Sequence, residues 1–266
     1  MRVSGEIAVV TGASSGIGAA TAERLAAKGA RVLMLARREG ALKELAARIG
    51  RNGGQAIPYP VDLSQPQAVA QVAQRIKAEV GVPAIVVNNA GMGVWRFIEE
   101  TTPEQAAAMM ALPYFAAFNL TRAFIPEMLR ANRGHIVNVN SPACRFTWPG
   151  ACAYTAARWA LRGFTEALRS DFYGTGLRVT HFVAGHTESD YWKTNPGSEE
   201  RMPKIASLMM PALSPSYVAR ALVRGIETNR REVVVPLMLH IVFLQHALAP
   251  WAVEWLMRAT GYRRKS

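Results

Sequence analysis

The sequence predicts an α/β fold, a doubly wound parallel sheet of about seven strands in a single domain. Three observations predict it. Short apolar runs rich in β-branched residues alternate with long amphipathic stretches along most of the chain. Those runs are continuously apolar, the pattern of strands covered on both faces. A glycine-rich turn also follows the first run and leads straight into a helical pattern.

The elements follow in order. Residues 7–10 form the first strand and 17–28 the first helix. Further strands fall at 32–35, 56–61, 85–88, 136–140, 179–183 and 233–235, with helical patterns in the gaps. Residues 187–215 break the rhythm, with Pro196, Gly197, Pro203, Pro211 and Pro215 marking a long excursion before the last strand. Excursions of that length near a site often serve as lids. The dinucleotide-binding and catalytic domain is assigned to residues 1–236, and 237–266 is read as an apolar helical extension. Its Pro250 can open a second helix, and Trp251 and Trp255 lie four apart before a basic end.

Composition limits the function. At 266 residues, half of them hydrophobic, the chain can bury a large core. Its two cysteines, Cys144 and Cys152, give neither a disulfide framework nor a metal-ligand cluster, so no metal is expected. There is no signal-peptide pattern and no uninterrupted apolar run of about 18 residues, and the expected location is cytoplasmic. The net charge of +12 raises nucleic acid as a partner, but the cations are scattered, so none is expected.

The turn Thr11-Gly12-Ala13-Ser14-Ser15-Gly16-Ile17-Gly18 is spaced as a phosphate cradle. Gly12 permits the tight turn, Gly16 lets backbone approach a pyrophosphate, and Gly18 lets helix and strand pack closely. Ser14, Ser15 and Ile17 border phosphates that face free N–H groups at a helix N-terminus. Where an NAD-selective site carries an acid for the ribose 2′-hydroxyl, this chain has Ala36-Arg37-Arg38. Two guanidiniums there suit a 2′-phosphate, so NADP(H) is expected over NAD(H).

Downstream come Ser141, then Tyr154, then Arg158 one helical turn later. A phenol ionises near pH 10, so one that exchanges protons at neutral pH needs a cation beside it. Residues four apart share a helix face, which places the Arg158 guanidinium near the Tyr154 hydroxyl.

Thr-Gly-x-x-x-Gly-x-Gly at 11–18, Asn88-Asn89-Ala90-Gly91, Ser141 and Tyr154 together resemble the short-chain dehydrogenase/reductase family over about the first 190 residues. The resemblance implies a Rossmann domain, a nicotinamide cofactor and a homodimer or homotetramer. It puts Asp62 and Leu63 beside adenine, and Asn88, Ala90 and Gly91 along adenosine and ribose. Ser141 would orient a substrate carbonyl, Tyr154 would exchange the proton, and Arg158 would take the place of the lysine that holds the nicotinamide ribose. Gly185 and Thr187 fall where the family meets the carboxamide. Pro113 stands where an Asn usually completes the tetrad through water, and its ring should kink the helix.

Met92, Trp95, Pro142, Trp148, His186, Tyr191, Trp192, Met209 and Met210 are expected to line a substrate pocket at the carboxyl edge of the sheet. Cys144 should narrow it. Such a lining suits a hydrophobic substrate, and His186 can also shuttle protons. His135 and His181 are read as structural.

The expected function is an NADP(H)-dependent carbonyl reductase or alcohol dehydrogenase acting on a hydrophobic ketone or secondary alcohol. The alternative is an NADP(H)-binding homologue with lost or redirected activity, such as a regulatory protein, isomerase or cyclase. The extension can cap the site, pack on a neighbouring subunit or touch a membrane peripherally.

Overall fold

The computed structural model describes residues 1–264, apart from the Met209 side chain. Seven parallel strands lie in the order β3-β2-β1-β4-β5-β6-β7. They are β1 (Ile7–Thr11), β2 (Arg31–Ala36), β3 (Gln55–Pro60), β4 (Ile85–Asn88), β5 (Gly134–Asn140), β6 (Leu177–Ala184) and β7 (Glu232–Val235). The helices are α1 (Gly16–Ala27), α2 (Glu39–Arg51), α3 (Pro66–Glu79), α4 (Pro103–Met110), α5 (Ala116–Arg130), α6 (Cys152–Asp171), α7 (Tyr191–Thr194), α8 (Lys204–Met209), α9 (Pro215–Glu227), α10 (Met238–Leu248) and α11 (Pro250–Thr260).

Continuously apolar strands serve two cores because successive side chains point to opposite faces. Ala8 and Val10 of β1, with Val32 and Met34 of β2, enter a cluster closed by Leu25 of α1, Leu42 and Leu45 of α2, and Leu222 of α9. Val9, Leu33 and Leu35 enter the other, closed by Val69 and Ile76 of α3, Leu120 and Phe124 of α5, and Leu168 of α6. Pro66, Pro103, Pro215 and Pro250 each occupy a helix's first turn, where a missing N–H costs nothing.

The edge strand β3 holds two prolines that a central strand would not tolerate. Beside it, Val61 N–H donates to Ala36 O at 3.0 Å, so odd-numbered residues here donate inward. Pro58 and Pro60 therefore have the missing donor on the outer side.

The expected kink at Pro113 takes the form of a π-helical segment, residues 111–115, between α4 and α5. Residues 103–130 are long and apolar enough, by length and composition, to cross a membrane. In the fold this stretch packs against the sheet, with Leu120, Phe124 and Met128 in the core. A third cluster sits at the carboxyl edge, where Leu239, Val242 and Phe243 of α10 and Val253 and Met257 of α11 join Trp95, Trp148 and Tyr154. The extension thus shares its core with the sheet domain.

His135 is fully buried on β5, its Nε2 2.7 Å from Thr180 Oγ1. Burial, aided by the N-terminal ammonium and Arg178, pulls its pKa from 6.5 to about 3. The unfolded chain protonates this ring as pH falls through 6.5, and the folded chain resists until about 3. Stability should therefore fall across that window by up to about 1.4 kcal/mol per pH unit. Melting temperatures measured from pH 7 downward test this, and His135→Asn should flatten the decline. An unchanged slope in the variant would exclude His135 as its cause.

Candidate active site

A cavity of about 670 Å³ opens at the carboxyl edge of the sheet. It lies where strand order reverses between β1 and β4, the crevice that open α/β sheets use for ligands. Gly12, Ser14, Ser15, Gly16 and Ile17 form one end with Arg37, Arg38, Asp62 and Leu63, and Trp95, Trp148, Trp192 and Met257 line the other.

At the phosphate end, Gly12 and Gly16 adopt φ of +65° and +55°, which side-chain-bearing residues rarely do. A Cβ on Gly16 would lie 2.8 Å from Ser189 Cβ, because the excursion after β6 closes over the turn. Arg38 lies across the turn, Nε and Nη2 donating to Ser14 Oγ at 3.3 and 3.2 Å, with Asp190 4.0 Å away. Asp62 accepts from Ser64 N and Oγ, and these bonds hold its carboxyl below the usual range.

The middle of the cavity belongs to α6. Tyr154 and Arg158 share one face of this helix and both are buried. The Arg158 guanidinium lies 4.9 Å from the Tyr154 ring centroid, within cation–π range. Its end rests on Gly91, where a Cβ would approach Nη2 to 2.9 Å. Burial, the largest influence, pulls the guanidinium toward losing its charge, but the phenols of Tyr154 and Tyr191 oppose this and hold it above its ordinary value. Arg158 Nε has no hydrogen-bond partner. A buried donor without an acceptor beside a glycine cradle fits a site that awaits a polar ligand.

Ser141 follows β5 and caps a short 3₁₀ turn, its Oγ accepting from Ala143 N at 3.4 Å. Asn140 ties the two elements together. Its Oδ1 accepts from Ser141 N at 2.9 Å, and its Nδ2 donates to the Arg158 carbonyl at 3.0 Å. The same Nδ2 is 3.1 Å from His181 Nε2, so His181 Nδ1 carries the proton toward Glu232 Oε1 at 3.0 Å. The His181 bond, joined by Arg145 Nη2 donating to both carboxylate oxygens at 2.7 Å, lowers the Glu232 pKa to about 2.

The substrate end is aromatic. Trp95 stands 4.8 Å from Trp148, 5.5 Å from Tyr154 and 5.6 Å from Trp192, and His186 packs edge-on against Trp192 at 5.0 Å. A latch holds this wall. Gly93 N donates to Asn195 Oδ1 at 2.9 Å, while Ser198 Oγ and Tyr191 Oη donate to Gly93 O at 3.2 and 3.3 Å. Trp95 N also donates to Ser198 Oγ at 3.0 Å.

Most of the expected residues converge here, including Ala90, Gly91, Met92, Pro142, Gly185, Thr187 and Met210. Asn88, Gly18 and Cys144 do not line the cavity. Asn88 turns inward to bond Thr121 Oγ1 at 3.1 Å and Asn138 Oδ1 at 2.8 Å, because a polar group this buried needs partners. Gly18 instead packs directly on the Gly12 carbonyl. Cys144 is buried beside Phe146, which lines the cavity in its place, and burial pushes its thiol up to about 12. Pro113 also lies off the cavity, to which its helix contributes Ala108, Ala111 and Leu112 without a polar side chain. Met209 falls outside the described side chains. Sequence reasoning missed Asn89, Asn195, Phe146 and Met257, whose cavity positions depend on contacts distant in the chain.

The family model for short chain dehydrogenase matches residues 6–200. The chain belongs to the short-chain dehydrogenase/reductase family. A curated relative in the family, estradiol 17-beta-dehydrogenase 11 from Mus musculus, is 31% identical over 251 residues, covering 93% of this chain and 81% of the relative. A metagenomic short-chain oxidoreductase solved with NADP is 33% identical at a TM-score of 0.74, covering 88% of this chain and 98% of the other. A short-chain dehydrogenase/reductase from Burkholderia phymatum solved with NAD is 25% identical at a TM-score of 0.82, over 100% of both chains. This chain is thus an oxidoreductase of the short-chain type.

Proposed function

We propose that this short-chain dehydrogenase/reductase interconverts a hydrophobic ketone and its secondary alcohol with NADP(H). The observation that carries the reading is the buried Tyr154, with the Arg158 cation on its ring and an aromatic wall against it, in the same cavity as the phosphate turn. Gly12 to Ile17 would hold the pyrophosphate, Arg37 and Arg38 the 2′-phosphate, and Arg158 with Gly91 the nicotinamide side. The cofactor would supply or accept the hydride. Ser141 Oγ orients the carbonyl, Tyr154 Oη gives its oxygen a proton, and the tryptophans exclude water. With no polar side chain from the Pro113 helix in the cavity, the proton is replenished from solvent.

Support for NADP(H) is the placement of Arg38 over Ser14 and the NADP complex of the metagenomic relative. Support for a hydrophobic substrate is the Trp95–Trp148–Trp192 wall and the steroid named for the Mus musculus relative. Following NADPH absorbance across steroid and long-chain ketones tests the reaction, with consumption expected on at least one. Cofactor binding without consumption would instead favour the binding-protein alternative. Arg38→Glu should lower the preference for NADPH over NADH by about 10–100-fold, the weight of a charge-assisted bond.

The protein is further read as a cytoplasmic homodimer or homotetramer. Exposed Phe115 and Phe118 at the start of α5, and Trp159 on α6, supply apolar faces for it. A monomeric mass by light scattering would overturn that assignment.

A further inference from the structure

The two C-terminal helices bury one side and leave an unusually apolar one in water. On α10, Leu239, Val242 and Phe243 face the core, whereas Ile241, Leu244 and Leu248 are exposed, with Leu237 just ahead of the helix. The exposed side of α10 is thus largely apolar, broken only by His240 and Gln245, and more apolar than the solvent face of an ordinary surface helix. On α11, Val253 and Met257 face inward, while Trp251 and Trp255 are 72% and 65% exposed. Large exposed apolar side chains gathered on two helices that pack together mark an interaction site.

Two observations say what covers it. The first is charge. Residues 237–266 carry four Arg or Lys, at Arg258, Arg263, Arg264 and Lys265; Arg258 pairs with Glu254, the one acid of this stretch, at 3.3 Å and Arg264 reaches Glu99 at 2.6 Å, which still leaves an excess of positive charge at this end. The whole chain is at +12. A second copy would set that basic end against its own like, whereas anionic lipid headgroups complement it. Tryptophans beside basic residues are the pattern that settles in the headgroup region.

The second is the link to the cavity. Met257 on the inner side of α11 lines it, as do Ala206 of α8 and Met210 just after that helix, and α8 packs against α11. Leu208 of α8 is 81% exposed beside them. One pair of helices therefore has the substrate cavity on one side and a lipid-like face on the other.

We propose that α10 and α11 seat this protein on an anionic lipid surface, so that a lipophilic substrate reaches the cavity past Met257 directly from the bilayer. The substrate route rests on the reductase reading; the docking does not.

The test is flotation of the full chain with phosphatidylcholine vesicles, with and without phosphatidylserine. The expected result is partition onto the anionic vesicles, weakened by salt, and a loss of at least about tenfold in the doubly substituted Trp251→Ala, Trp255→Ala variant. Both side chains are exposed, so the fold should survive, and unchanged NADPH affinity in solution would show that it has. No partition, or equal partition by the variant, would overturn the proposal. A fall in oligomeric mass on the same substitutions would give the face to a second copy and overturn it too. Flotation reads no turnover, so its failure leaves the reductase reading standing, and an inactive but lipid-bound protein would overturn only that reading.

Discussion

Replacing Gly93 with alanine should lower turnover by about a hundredfold or more while leaving NADPH affinity within a few-fold. Gly93 does not line the cavity, so the cofactor should not feel the change directly. A Cβ there, however, would come within 2.5 and 2.6 Å of Tyr154 Cδ2 and Cε2, and closer still to the Tyr191 hydroxyl. The Tyr191 ring can swing aside at the cost of its bond to Gly93 O. The Tyr154 ring cannot, because Trp95 and Trp148 pack on it at 5.5 and 6.3 Å and the Arg158 guanidinium lies against it. The phenol must therefore shift, and a displacement near 1 Å at a proton donor typically costs about a hundredfold. Steady-state kinetics beside a cofactor titration separate the two quantities. Full turnover in the variant would mean that Tyr154 does not transfer the proton.

Arg158→Met should lower turnover by about 10²–10⁴-fold without lowering the melting temperature. The two halves of this expectation have one cause. The guanidinium is buried, its Nε has no partner, and its neighbours Tyr154 and Tyr191 are phenols rather than carboxylates. Removing it leaves no opposite charge stranded, and a hydrophobic side chain of similar length in such a place is often neutral or stabilising. The residue is thus a burden on the fold that only the site explains. Arg158→Lys should stay within about tenfold of the parent, since it keeps a cation one turn from Tyr154 while losing the planar contact with the ring and Gly91. A large rise would instead identify Arg158 as a restraint on redox turnover. Thermal melts and kinetics on the same preparations decide between these outcomes.

The sheet, the phosphate turn and the pairing of Tyr154 with Arg158 were legible in the sequence because each depends on a local period or a short spacing. Short, continuously apolar runs told strands 7–10 and 32–35 from the longer amphipathic helices, and a spacing of four put the guanidinium on the phenol's face. What stayed hidden depends on contacts between distant segments. Asn195 and Ser198 bond the backbone of Gly93, about a hundred positions away, and no spacing announces such a bond. Met257 enters the cavity only because the tail folds back over the sheet edge. Asn88 marks a different limit. Its position at the end of β4 was legible, but which way its side chain turns was decided by Thr121 and Asn138, on two other elements.

The prolines of β3 bear on how this protein behaves when crowded. An open sheet edge is a template on which another chain can add a strand, one backbone donor and acceptor at a time. Along β3, alternate residues face outward, and two of them, Pro58 and Pro60, have no N–H to offer. An incoming strand would find Ala56 as the outward donor and then only acceptors. Fibre-like growth from that side is starved of hydrogen bonds at its first step.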